Sequence, residues 1–189
     1  EGKDIDILLV IEACNSQPFS HIHTPGIAVG GHCIPVYPRL YLWNDPSATI
    51  VSAAREANAL MPERVVARLE SELGSLKGIS VAVLGAAYRG GVKETAFSGV
   101  FPTVSALEAL GAQVRVHDPL YTHTELAQLG LRPFDQGQPA DAVIVQADHA
   151  EYSEWTPEDI PGVQVIIDGR GYLAADVWDS ACTFLRIGS

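Results

Sequence analysis

A chain of 189 residues, 47% hydrophobic and 19% charged, can build a packed domain with a helical arm, and its composition excludes wholesale disorder. A formal net charge of −11 argues against nucleic acid or an anionic membrane as partner, but it leaves room for a phosphate ligand at a local cation or helix N-terminus. The three cysteines, Cys14, Cys33 and Cys182, are too widely spaced for a disulfide framework and point to a reducing, cytoplasmic setting. No apolar run reaches the ~18 residues of a membrane span. The first residues are not a signal peptide and there is no initiator Met, so the chain reads as a piece of something longer.

Apolar residues at Ile5, Leu8, Leu9 and Ile11 predict a short amphipathic helix over 4–14, with Asp4 or Asp6 near its start and an end near Asn15, before Pro18. Residues 16–46 are rich in proline and glycine and predict a long irregular loop, of the kind that usually carries function. Inside it lies Gly30-Gly31-His32-Cys33-Ile34-Pro35. Adjacent glycines let the backbone approach a ligand or take a positive φ. A thiol presented on such a loop suits a nucleophile, whereas a lone cysteine elsewhere is most often a small buried hydrophobe. His21, His23, His32 and Cys33 also cluster, but their spacing matches no common zinc pattern.

From Pro46 to Leu76 the pattern is helical. Ser47 is placed to cap, and Ile50, Val51, Ala54, Ala57, Leu60 and Met61 fall at i, i+3, i+4 spacing. Pro62 is expected to end or kink the helix, which resumes through Val65, Val66, Leu69 and Leu73 and stops at Gly74. Such a helix can serve as a spine between domains, a dimer surface or an ordinary core element.

After Gly78 the character changes. Strands are predicted at 79–84, 113–117, 142–145, 163–167 and 182–186. Helices or helical turns are predicted at about 102–110, 122–130, 153–160 and 174–180. The fold class is therefore α/β: a Rossmann-like, mostly parallel sheet over 77–189, preceded by a helical segment over 1–76 that ends in the long helix.

Ligands in open parallel sheets sit at the carboxyl ends of strands. These ends carry Tyr88 and Arg89, Asp118, Asp148 and His149, and Asp168 and Arg170. The two arginines can clamp a phosphate bidentately or pair with nearby carboxylates. The loop from Gly85 to Gly91 lacks Gly-x-Gly-x-x-Gly, so this domain has no evident NAD site of its own, and Asp118 reads as the cap of an Asp-Pro turn.

Gly30-Gly31-His32-Cys33-Ile34-Pro35-Val36 with Pro38 resembles the active-site loop of the UDP-glucose/GDP-mannose dehydrogenase family, in the branch acting on UDP-N-acetyl-mannosamine. The run from Val81 to Arg89, then Ser98, then Gly111 to Pro119, is similar to that family's C-terminal UDP-binding domain. The long helix with Met61 and Pro62 looks like its central dimerisation helix. The resemblance implies oxidation of a UDP-sugar C6 alcohol to a carboxylate with two NAD, in a homodimer that supplies sugars for surface polysaccharide. It implies Cys33 as the nucleophile that passes through a thiohemiacetal to a thioester, Gly30 and Gly31 along the sugar, and Tyr88, Arg89 and Arg170 on the nucleotide sugar. NAD would be held mainly by an N-terminal domain upstream of residue 1. The chain departs from the family where Tyr37 replaces the acid four residues after the cysteine, and where Ala96 replaces the arginine of Arg-Glu-Ser. Those departures motivate a second expectation, a nucleotide-sugar-binding and dimerisation module without turnover.

Overall fold

The structure is a computed structural model that describes residues 5–19 and 21–188. Five short strands, β1 (Ser80–Leu84), β2 (Gln113–His117), β3 (Ala142–Val145), β4 (Val165–Asp168) and β5 (Thr183–Arg186), pair in parallel in the order β2-β1-β3-β4-β5. Parallel strands need covered faces, and the side chains of β1, β3 and β4 are almost wholly buried. Val81, Val83, Ile144 and Ile167 face one apolar layer, and Ala82, Leu84, Val143, Val145 and Ile166 face the other.

The first layer is closed by α3 (Thr49–Leu73) and α4 (Val100–Ala109), the second by Phe134, Tyr152, Trp155 and Trp178. α3 runs 25 residues, about 37 Å at 1.5 Å per residue. It continues through Pro62 and ends at Gly74, whose φ of 77° is the left-handed stop a glycine supplies. Its two halves differ. Val65, Val66 and Leu69 are buried against α4 and β4, while Ile50, Ala54, Ala57 and Leu60 are exposed. Ser47 is not the cap: Ala48 occupies that position, and the Ser47 amide and hydroxyl both donate to Asp45.

α1 (Ile7–Asn15) is capped by Asp6, whose Oδ1 accepts from Leu8 N at 2.8 Å and Leu9 N at 3.4 Å. Asp4, the alternative cap, lies outside the described residues. Only Ile11 of α1 is buried.

The predicted loop over 16–46 is only partly a loop, because α2 forms over Cys33–Asn44. Pro35 falls in its first turn, where the missing N–H would have no partner anyway. Pro38 leaves just one carbonyl, that of Ile34, without its helical donor. Prolines at the third and sixth positions of the helix are thus tolerated, although in the sequence they read as breakers. α5 (His123–Gln128) carries a Thr122/Glu125 capping box, and α6 (Ala175–Trp178) is a single turn. No described helix is long and apolar enough to cross a membrane.

Leu69 is fully buried between α3 and the sheet. Leu69→Ala is expected to lower unfolding free energy by about 2–5 kcal/mol in urea titration. A loss under about 1 kcal/mol would place the anchoring of α3 elsewhere.

Candidate active site

The loop leaving β1 carries two of the predicted binding residues, and a buried carboxylate shapes it. Asp118 Oδ2 accepts from the amides of Ala86 (2.8 Å) and Ala87 (3.0 Å) and lies 3.1 Å from His149 Nε2, while Oδ1 accepts from Leu120 N at 2.9 Å. Asp118 does cap the Asp-Pro turn, but its larger role is to seize the first two amides after Gly85. Burial alone would push this carboxyl up; the His149 bond and the Ala87 and Leu120 amides outweigh burial and hold it below the usual aspartate range. Gly85 itself lies against Ala147, where a Cβ would come within 2.4 Å of that residue's Cβ.

The cysteine loop is laid directly onto this β1 loop. Gly31 N donates to Ala96 O at 2.8 Å. A Cβ on Gly30 would stand 2.6 Å from Tyr88 Cβ and 2.9 Å from Phe97 O, and Gly31 has a φ of 86° against the Tyr88 ring. The paired glycines therefore let two chain segments touch at the site, the first needed for clearance and the second for its backbone conformation. On the facing side Phe97 holds a φ of 51°, alone among the described non-glycine residues in the left-handed region, and its ring lies under the Arg39 guanidinium at 5.2 Å.

Cys33 is exposed and is the first residue of α2, with His32 at the N-cap. Pro35 has no N–H and Val36 N donates to His32 O at 3.2 Å, so the first-turn amides left for negative charge developing on a group attached there are those of Cys33 and Ile34. Tyr37, one turn along, is exposed.

Between these segments opens a cavity of about 660 Å³ whose wall includes His23, Gly26, Gly30, Tyr88, Arg89 and Arg170. Four predicted binding residues thus meet in one place. Gly31 stacks behind Gly30 on Tyr88, and the wall reaches Ile34, the neighbour of Cys33, but not Cys33 itself. The two arginines differ. Arg89 is exposed, and its guanidinium lies over the Tyr88 ring at 5.9 Å. Arg170 is mostly covered, with Nε 3.3 Å from Asp148 Oδ1 in ion-pair range but without hydrogen-bond alignment. Asp168 aims it by accepting from Arg170 N (2.9 Å) and Leu173 N (2.8 Å). Gly26 leaves the space it needs, since a Cβ there would sit 2.7 Å from the guanidinium; Gly169, beside Arg170 in the chain, makes room for Ile27, whose side chain a Cβ would meet at 2.5 Å.

Sequence reading missed Gly26, Gly169 and Glu94, and it marked Asp168 only as a chemistry-bearing strand end. Only Gly169, next to an arginine at a strand end, carried a local signal. Among the described residues no three His, Cys, Asp or Glu side chains are grouped to hold a metal.

Residues 1–59 match the central domain of the UDP-glucose/GDP-mannose dehydrogenase family, and residues 82–175 match the UDP binding domain of the same family. In that order they leave only 60–81 and 176–189 unmatched.

The chain belongs to the UDP-glucose/GDP-mannose dehydrogenase family.

It is similar to the UDP-N-acetyl-D-mannosamine dehydrogenases of Methanocaldococcus jannaschii (30% identity over 95% of this chain and 43% of that protein) and Pyrococcus horikoshii (33% over 89% and 41%). The solved structure of UDP-D-ManNAc dehydrogenase from Pyrococcus horikoshii superposes with a TM-score of 0.77 at 28% identity, over 97% of this chain and 44% of that one. A UDP-glucose dehydrogenase from Pyrobaculum islandicum gives 0.81 at 25% identity, over 97% and 44%. The chain thus spans 41–43% of the length of these curated relatives.

Asp118→Ala strips buried amides of their acceptor and is expected to cost at least about 3 kcal/mol. Because the folded carboxyl is held below its unfolded value, its contribution is complete above that unfolded value, near pH 4, and is lost as pH falls through the lower folded value. Wild-type stability should therefore decline below about pH 4 and Asp118→Asn should decline less, as read by denaturant midpoints across pH. Parallel curves would assign the acid sensitivity to other carboxylates.

Proposed function

We propose that this chain is the C-terminal part of a nucleotide-sugar 6-dehydrogenase, combining the cysteine loop with the UDP-sugar site. The whole enzyme would oxidise the C6 alcohol of a UDP-sugar, of the UDP-N-acetylhexosamine or UDP-glucose type, to a uronate. The observation that carries the reading is the single cavity shared by Gly30, Tyr88, Arg89 and Arg170, with the helix of Cys33 at its edge. In this reading Arg89 and Arg170 hold the diphosphate, Tyr88 lies along the nucleotide sugar, and the Gly30-Gly31 backbone runs beside the sugar. Cys33 adds to the C6 aldehyde to give a thiohemiacetal, which would lose a hydride to a second NAD and a proton to become a thioester, and the thioester is hydrolysed to the acid.

NAD supplies the hydride acceptor in such enzymes, but the β1 loop does not fit it. The Ala86 and Ala87 amides that would face a dinucleotide diphosphate are already bonded to Asp118. NAD binding is assigned instead to an N-terminal domain of the whole enzyme. The exposed half of α3, with Ile50 and Leu60, and the exposed Leu40 and Trp43 of α2 are the proposed homodimer surface.

A second reading, a binding module without turnover, draws on Tyr37 and Ala96 in place of the acid and arginine that the resemblance leads one to expect. It predicts UDP-sugar binding with no fast-reacting Cys33. The enzyme reading predicts that iodoacetamide labels Cys33 quickly and that UDP-sugar protects it.

Calorimetric titration with UDP, UDP-glucose and UDP-N-acetyl-mannosamine should show binding that Arg89→Ala and Arg170→Ala each weaken by about 1.5–3 kcal/mol, the range for hydrogen bonds to a charged group. Sedimentation of the same samples should give a dimer. No binding at millimolar ligand would contradict the site assignment, and a monomer would contradict the dimer surface.

A further inference from the structure

Glu94 has no role in the chemistry above, yet it joins the elements of the site. It lies in the loop between β1 and α4, 61 residues beyond Cys33 in sequence. Its carbonyl accepts from Tyr88 N at 3.1 Å, and its Oε1 accepts from Ala96 N at 2.9 Å. Ala96 O in turn takes the Gly31 amide. The remaining carboxylate oxygen, Oε2, is 3.5 Å from Nε2 of His32, the residue before Cys33.

Four features give this pair a chemical direction. The Ala96 amide first, and His32 after it, hold the Glu94 carboxyl below the usual glutamate range although burial opposes them, so it stays an acceptor. His32, Cys33 and Glu94 are all open to solvent, so water reaches them. No hydrogen bond joins His32 to the Cys33 thiol, which leaves the second imidazole nitrogen available to water. Tyr37, four residues after Cys33, offers no carboxylate for this purpose.

We propose that His32 and Glu94 form the acid–base pair that hydrolyses the acyl group on Cys33, an inference that rests on the reading of Cys33 as nucleophile. By closing from 3.5 Å to hydrogen-bond distance, Glu94 Oε2 would accept the Nε2–H of His32 and fix its tautomer, so that Nδ1 takes a proton from the attacking water. The water oxygen bonds to the acyl carbon, the carbon–sulfur bond breaks, and the proton passes from His32 to the departing sulfur. Carboxylic acid and free thiol result, with no oxidant consumed in this step. Glu94 is a positioning residue and His32 the group that touches the reacting water.

The test needs no cofactor. The chain is acylated with p-nitrophenyl acetate in a Cys14→Ser/Cys182→Ser background, since Cys14 is exposed and Cys182 half-buried. Release of p-nitrophenol gives the burst, and mass spectrometry follows loss of the acyl group from Cys33. His32→Gln and Glu94→Gln should each retain the burst stoichiometry and slow deacylation on the order of a hundredfold. The double variant should be little slower than either single one, because the two residues act as a unit. Gln at 94 keeps an oxygen for the Ala96 amide, so a purely structural role would leave its rate at the parent value. Deacylation within about twofold of the parent in both single variants overturns the assignment while leaving Cys33 as nucleophile. A parent chain in which Cys33 forms no acyl species overturns the nucleophile reading and this inference with it.

Discussion

A single buried carboxylate decides where this sheet can bind anything. In a dinucleotide-binding sheet, the amides after the first strand meet the ligand's diphosphate. Here Asp118 occupies the Ala86 and Ala87 amides and lies against His149. The loop is thereby closed to phosphate and made rigid, and its outer residues, Tyr88 and Arg89, point to a cavity between the sheet and the cysteine loop. An unsatisfied buried amide costs about 1–3 kcal/mol, so the network cannot be given up lightly for a ligand.

That cavity is assembled by contacts too close for any side chain. Gly30 lies on Tyr88 and Phe97, Gly26 on the Arg170 guanidinium, and Gly169 on Ile27. Each glycine brings a segment from one part of the chain against another at a point where one arginine or aromatic ring must be aimed. In the proposed reading, an exposed Arg89 and a covered, carboxylate-paired Arg170 offer a diphosphate two cations of different character. Arg170 is held in place by Asp148 and Asp168, whereas Arg89 is free to move onto a ligand.

Much of this was legible in the sequence because fully buried parallel strands read as short β-branched runs bounded by glycine. All five strands fall within two residues of expectation, and the chemistry-bearing residues at their carboxyl ends come together as the topology requires. What stayed hidden depends on tertiary context. α2 was concealed by Pro35 and Pro38, since a proline in a first turn costs little but looks like a breaker in isolation. Ser47 looked like a cap, but Asp45 takes its amide and hydroxyl. Glu94 could not be found from spacing, because His32 comes within 3.5 Å of it only when the cysteine loop docks on the β1 loop. The role of Asp118 was half visible: its turn is local, but its hold on Ala86 and Ala87 spans some thirty residues.

The most direct measurement is a crystal structure of the chain with UDP bound. The account predicts diphosphate oxygens within hydrogen-bond distance of both Arg89 and Arg170, beside Gly30, with the Asp118 bonds to Ala86 and Ala87 intact. UDP seated on the Ala86 and Ala87 amides with Asp118 displaced, or bound away from both arginines, would contradict it.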